Sequence, residues 1–208
     1  MNQFQSFSVC CKGLLTQNNN QYGKVGFFAK FSPIGIQLYG SYFPREINRI
    51  AIDKDDNIYF AGRTTNQTSI STPNTFVTNF QTIPNFSGQQ GSFIMKFNYE
   101  TQQKIWGSYF FDLILNVNVN SKNEILITGY TLISNNIATP DAYMPNKSNV
   151  LSDTYIVKLN NLGQRIWGTF YSGNIGNSLF NSNCIIDNNN NLYLFGTCYG
   201  TFGGLSTL

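Results

Sequence analysis

The sequence predicts an all-β fold made of three copies of one four-strand unit, and three observations lead there. Short apolar runs recur in a fixed order: Phe27-Phe28-Ala29-Lys30-Phe31 returns as Phe93-Ile94-Met95-Lys96-Phe97 and as Tyr155-Ile156-Val157-Lys158-Leu159. Gly62, Gly129 and Gly196 are spaced 67 positions apart, which fixes the repeat length. Charged residues make up only 11% of the chain against roughly 25% in an average soluble domain, while aromatics reach 15%, a balance suited to short strands joined by polar turns.

Each element follows from its residues. The Lys-containing run is the first strand of a unit. The second is Gln37-Leu38-Tyr39-Gly40-Ser41-Tyr42-Phe43, with counterparts Lys104 to Phe110 and Arg165 to Tyr171, both of which carry Trp-Gly at the centre. The third and fourth strands form a hairpin of constant length, Asp53 to Gly62, Asn120 to Gly129 and Asp187 to Gly196, so its register is constant as well. Strands are thus predicted near 27–31, 37–43, 47–53 and 57–62 and at the matching positions of the other units. Strict apolar/Asn alternation from Leu115 to Asn120 marks one buried face. Carried across the units, that phase predicts a core of Ile50, Ile52, Ile58 and Phe60, then Val117, Val119, Ile125 and Ile127, then Cys184, Ile186, Leu192 and Leu194.

The long loops hold a second marker, Ser71-Thr72-Pro73 and Ala138-Thr139-Pro140, with Leu205-Ser206-Thr207 as the last. Met1-Asn2-Gln3-Phe4 stands at the phase of Pro73-Asn74-Thr75-Phe76, so the units are expected at about 1–72, 73–139 and 140–208 within a single segment. A lone four-stranded unit leaves both faces wet and needs neighbours to stack on.

Composition narrows the function. Histidine is absent, which removes the commonest general base and transition-metal ligand. Net charge is +3 without a Lys/Arg cluster, so nucleic acid is not an expected partner. No run of 18 apolar residues occurs, so no membrane-spanning helix is expected. The run Phe7 to Cys11 lacks preceding positive charge and is broken by Lys12, which makes a poor signal peptide. Cys10, Cys11, Cys184 and Cys198 show no metal or disulfide spacing.

Four groups of residues are candidates for a site. Asp53, Asp55 and Asn57 have the D-x-D-x-N spacing that opens many calcium loops, but no bidentate Glu follows, and an Asx-rich turn is the expected reading. Lys30, Lys96 and Lys158 share one position and could line an anion-attracting arc; each is expected instead to snorkel or to meet a carboxylate. Tyr39, Trp106 and Trp167 would stack on sugar rings if exposed, and packing within the sheet is expected. Cys184 falls on the predicted buried face, and its offset from Cys198 argues against a disulfide between them.

Four antiparallel strands per unit, with a Trp-Gly aromatic strand, fit a β-propeller blade. The order of a Lys strand, Trp-Gly-Ser-Tyr-Phe, Ile-Ala-Ile-Asp followed by Asn-Ile-Tyr, and then Thr-Pro resembles the SBBP family, the β-propeller repeats of bacterial surface and secreted proteins. The chain departs from it where a Gly-Gly pair is usual, reading Pro44-Arg45, Phe111-Asp112 and Ser172-Gly173. The resemblance implies propeller blades and an extracellular or cell-surface location. Family members carry enough blades to close a ring, whereas the three units here are expected to give three four-stranded antiparallel blades in an open arc, and no cofactor is expected. A non-enzymatic interaction or spacer scaffold is the expected function, with a carbohydrate-binding module using the long Thr/Asn-rich loops as the alternative. A propeller lyase or hydrolase stands behind it, set back by the absence of histidine and of paired carboxylates outside turns. A protein or glycan partner is compatible with this. The missing blades are expected from the same chain or from a second copy.

Overall fold

A computed structural model describes residues 26–43, 45–83, 90–98, 100–132, 136–147, 152–171 and 179–198. Among them are twelve strands and no helix: β1 Gly26–Phe31, β2 Gln37–Phe43, β3 Glu46–Ile52, β4 Asn57–Thr64, β5 Gly91–Asn98, β6 Gln103–Phe110, β7 Leu113–Val119, β8 Ile125–Thr131, β9 Asp153–Leu159, β10 Arg165–Tyr171, β11 Leu179–Ile186 and β12 Leu192–Cys198. All pairings are antiparallel. The all-β, antiparallel character and the strand positions agree with the sequence reading.

The grouping of strands differs from it. In place of three four-stranded sheets, the described residues form two, β3-β4-β5-β6 and β7-β8-β9-β10, flanked by the two-stranded pairs β1-β2 and β11-β12. Each four-stranded sheet takes its hairpin from one sequence unit and its Lys and Trp-Gly strands from the next. The long loop after Gly62 therefore does not separate sheets: β4 pairs with β5 across it in full register, from Asn57 opposite Asn98 to Thr64 opposite Gly91.

The sheets stack through their apolar faces, and the contacts repeat. Phe43 stacks on Phe93 with ring centroids 6.1 Å apart, and one unit later Phe110 stacks on Tyr155 at 5.5 Å. The first strands of successive sheets lie side by side, β3 against β7 and β7 against β11. Polar side chains bridge them: Arg49 Nε donates to the Leu115 carbonyl, and the amides of Asn116 and Asn118 donate to the Cys184 carbonyl at 2.9 and 2.6 Å. The Asn residues of the alternating run thus join neighbouring sheets.

Several expected core positions are only partly covered. Ile50 and Ile52 are 51% and 59% exposed, whereas their counterpart Val117 is 4% exposed and Val119 is partly buried. The chemistry is equal; the neighbours are not. Val117 faces a complete four-stranded sheet, while among the described residues Ile50 and Ile52 have only the pair β1-β2 on their side. Ile186, Leu192 and Leu194 are half-buried at the other end of the series.

The long loops fold back over the outer strands. Thr72 N–H donates to the Gly107 carbonyl at 2.8 Å, and Thr139 N–H to that of Gly168 at 2.9 Å, which gives the Thr-Pro marker its structural meaning. Lys104 Nζ and Arg165 Nη1, at the same phase, each donate to the carbonyl of Ile70 or Ile137, both at 3.1 Å. These straps occupy edge groups that would otherwise recruit another strand. The Ile70 and Ile137 carbonyls pass so close to Gly107 and Gly168 that a Cβ there would overlap them. Gly62 and Gly129 likewise face the Glu46 and Leu113 carbonyls, with no room for a methyl group. Gly107→Ala and Gly62→Ala are each expected to destabilise the chain by roughly 1–3 kcal/mol or more through overpacking; a chemical melt with an unchanged midpoint would show that the close approach is not a constraint.

Candidate functional site

The richest polar constellation lies at the β3–β4 hairpin. Asp53 and Asn57 close it with a backbone bond, Asp53 N–H to the Asn57 carbonyl, and the same bond joins Asn120 to Glu124 and Asp187 to Asn191. The turn needs a residue with positive φ, supplied by Asp56, Asn123 and Asn190 at 57°, 58° and 66°. Asn and Asp tolerate that conformation better than other non-glycine residues, which accounts for the Asx-rich sequence.

In the first hairpin Asp53 Oδ1 accepts the N–H groups of Asp55 and Asn57 at 3.0 and 2.8 Å. Its other oxygen, Oδ2, accepts from Tyr59 Oη at 3.1 Å and forms an ion pair with Lys96 Nζ at 2.9 Å. Both charged side chains are buried. The Lys96 amine also stands 5.2 Å from the centre of the Tyr59 ring. Burial alone would raise the Asp53 pKa, but the bonds from Lys96 and Asn57 outweigh it and hold the carboxyl below its ordinary value. Tyr59 is pushed well above the usual phenol range, first by burial and then by the Asp53 charge.

The second hairpin keeps the pair and moves the carboxylate. Asn120 stands where Asp53 does and Glu124 where Asn57 does, and Lys158 Nζ meets Glu124 Oε2 at 2.5 Å. Desolvation opposes ionisation of Glu124, yet the bonds from Lys158 and Asn120 leave its pKa lowered. Neighbouring turns are tied together by Asn123 Nδ2 to Asp55 Oδ2 at 2.7 Å and by Ser121 Oγ to Asn190 Oδ1 at 3.3 Å.

The three residues with calcium-like spacing therefore serve the turn. Asp53 turns toward Lys96, Asp55 toward the next hairpin and Asn57 toward Asp53, so their oxygens do not converge on one point. Among the described residues no cluster of three or more His, Cys, Asp or Glu side chains is placed to hold a metal. Lys30, Lys96 and Lys158 keep equal register opposite Tyr39, Trp106 and Trp167. Lys96 and Lys158 each direct the amine at a carboxylate of their own sheet, and Lys30 lies exposed on β1.

Trp106 is buried, packed edge-on against Tyr59 and donating Nε1–H to the Asn161 carbonyl at 2.8 Å. Tyr39 and Trp167 are half-buried. Cys184 is a free thiol on the buried face, raised in pKa by desolvation. Cys10 and Cys11 lie outside the described residues.

Sequence reasoning did not single out Asp112 or Tyr59. Asp112 is fully buried and accepts the N–H groups of Leu113 at 2.9 Å and Leu132 at 2.8 Å, tying the start of β7 to the end of β8. Burial raises its pKa despite those bonds. Its one available signal was an acid at a corner that reads Pro44-Arg45 and Ser172-Gly173 in the other units.

Lys96→Met leaves Asp53 buried without its cation and is expected to cost on the order of 3 kcal/mol, read as a fall in the thermal midpoint; an unchanged midpoint would contradict a structural ion pair. Because the folded Asp53 pKa is depressed, its contribution is present above the unfolded value of about 3.9 and is lost as pH falls through the folded one. The deficit of Asp53→Asn relative to wild type is accordingly expected to be full at pH 5–7 and to shrink below about pH 4; a deficit independent of pH would argue against the charge. Millimolar calcium is expected to leave the wild-type midpoint in place, and a rise of several degrees would mean that the ion displaces Lys96. Compared with known proteins, the chain matches no family model and no curated protein.

Proposed function

We propose that the chain is a non-enzymatic β-propeller repeat segment of a secreted or cell-surface protein, serving as an interaction or spacer scaffold. The observation that carries this reading is that residues recurring at one phase of the sequence recur in one structural duty. Lys96 and Lys158 neutralise a hairpin carboxylate, Gly107 and Gly168 admit a passing carbonyl, and Thr72 and Thr139 fasten the strap. A catalytic or ligand site would instead single out residues in one unit. The side-by-side course of β3, β7 and β11 supports a radial arrangement, since the innermost strands of propeller blades adjoin one another around an axis. The location rests on the resemblance to SBBP repeats.

A carbohydrate-binding module is the reading to be separated from this one. A ligand at about one hundred times its Kd adds roughly 2.7 kcal/mol, which moves the thermal midpoint by several degrees in a domain of this size. Across a panel of soluble glycans the scaffold reading expects no such shift. A reproducible upward shift with one glycan class would replace it with the carbohydrate-binding reading.

A further inference from the structure

The pairs β1-β2 and β11-β12 are complementary halves of the sheet that the chain builds twice. In both complete sheets the hairpin strands come first and the Lys and Trp-Gly strands second, joined at β4–β5 and at β8–β9. β11-β12 is a hairpin half, and β1-β2 is a Lys and aromatic-Gly half. Among the described residues, β12 and β1 each pair on one side only. They also lie at opposite ends of the series, β1 beside β3, and β11 against β7, β8 and β9.

We propose that a second copy of this chain completes the sheet, β12 of one copy pairing antiparallel with β1 of the other, and that a two-fold axis makes the exchange reciprocal. The repeat supplies the register. Tyr59 stands opposite Lys96, and Leu126 opposite Lys158. Tyr193 and Lys30 occupy the same phases, so they stand opposite each other across the new join.

Charge agrees with that register. Asp187 is organised as Asp53 is: Oδ1 accepts the N–H groups of Asn189 and Asn191, and Oδ2 accepts from Asn191 Nδ2 at 2.8 Å and from Tyr193 Oη at 3.3 Å. Those bonds, with that from the Asn191 side chain foremost, lower its pKa and keep the carboxylate charged. In the first sheet the same carboxylate oxygen meets Lys96. Across the join it meets Lys30 of the second copy.

The apolar faces agree as well. Phe27 stands at the phase of Phe93 and Tyr155, which are fully buried, yet Phe27 is 74% exposed. Phe93 is covered by Phe43 and Tyr155 by Phe110, and the residue at that phase in the last Trp-Gly strand is Tyr171. Tyr171 of one copy therefore covers Phe27 of the other. The same docking places Tyr193 and Phe195, exposed at one end, over Ile50 and Ile52, exposed at the other. One isologous contact thus accounts for both ends. If stacking proceeds around an axis as proposed above, two copies give six sheets, within the roughly four to eight of known propellers. The pairing itself rests on the repeat equivalence of the sheets, so it can fail without touching the scaffold reading, and the reverse.

Sedimentation velocity and light scattering on the purified chain test it. Wild type is expected at twice the 23.4 kDa chain mass. Asp187→Lys and Lys30→Glu are each expected to weaken the dimer at least tenfold, because both interfaces then oppose like charges. An equimolar mixture of the two variants is expected to regain the dimer, since each interface of the mixed pair again carries opposite charges. Amide exchange gives an independent reading: the amides of residues 192–197 become protected as wild-type concentration rises. A wild-type monomer at high micromolar concentration, a dimer indifferent to both substitutions, a mixture that stays monomeric while both variants retain the wild-type circular dichroism, or β12 amides whose exchange ignores concentration would each overturn the proposal.

Discussion

Each four-stranded sheet in this chain buries apolar side chains against its neighbours and depends on them for stability. Everything else in the structure answers that constraint. A large aromatic side chain moved from water into such an interface contributes roughly 1.5–3 kcal/mol, and the stacked pairs Phe43–Phe93 and Phe110–Tyr155 are the recurring points where that happens. Within the sheets, the register shift where β3 meets β4, repeated where β7 meets β8, brings a carbonyl of the paired strand onto Gly62 and Gly129 and leaves room only for glycine. Close stacking converts the polar face of β7 into a set of bridges, since Asn116 and Asn118 find their acceptor on β11.

Charge is then placed at the hairpin turns, buried at Asp53–Lys96 and partly exposed at Glu124–Lys158. The pairs Asp53–Lys96 and Glu124–Lys158 preserve a function of position while exchanging the residue that supplies it. A buried ion pair is a weak source of net stability, but removing one partner is costly. The arrangement therefore acts on register more than on total stability: a strand shifted by one residue would put Lys96 on the opposite face of its sheet, away from Asp53.

Much of this was legible in the residues. Strand positions followed from alternation, the hairpin from its constant length, and the Asx turn from the residue types that tolerate positive φ at Asp56, Asn123 and Asn190. Sheet membership was not legible. A periodic sequence has no marked starting point, and the pairing of β4 with β5 spans a loop whose length suggests a boundary. Exposure of Ile50 and Ile52 was hidden for a related reason: burial at a repeated position depends on the neighbouring unit as much as on the residue itself. The ion pairs were half legible, because Lys96 and Lys158 were visible as odd residues in apolar strands while their partners lay in a different sequence unit.

The offset between sequence unit and sheet has a bearing on how the chain is made. During synthesis, the hairpin β3-β4 leaves the ribosome well before β5 and β6, so its apolar face waits for a complement encoded in the following unit. The same delay recurs at β7-β8. No unit can finish folding on its own, and each nascent hairpin is held open to its successor. A break in the backbone within the loop after Thr64 would separate two halves of one sheet, whereas a break at the short corner between Phe110 and Leu113 would fall between sheets. The corner, though far shorter, is the joint between modules, and the long loop is an internal stitch.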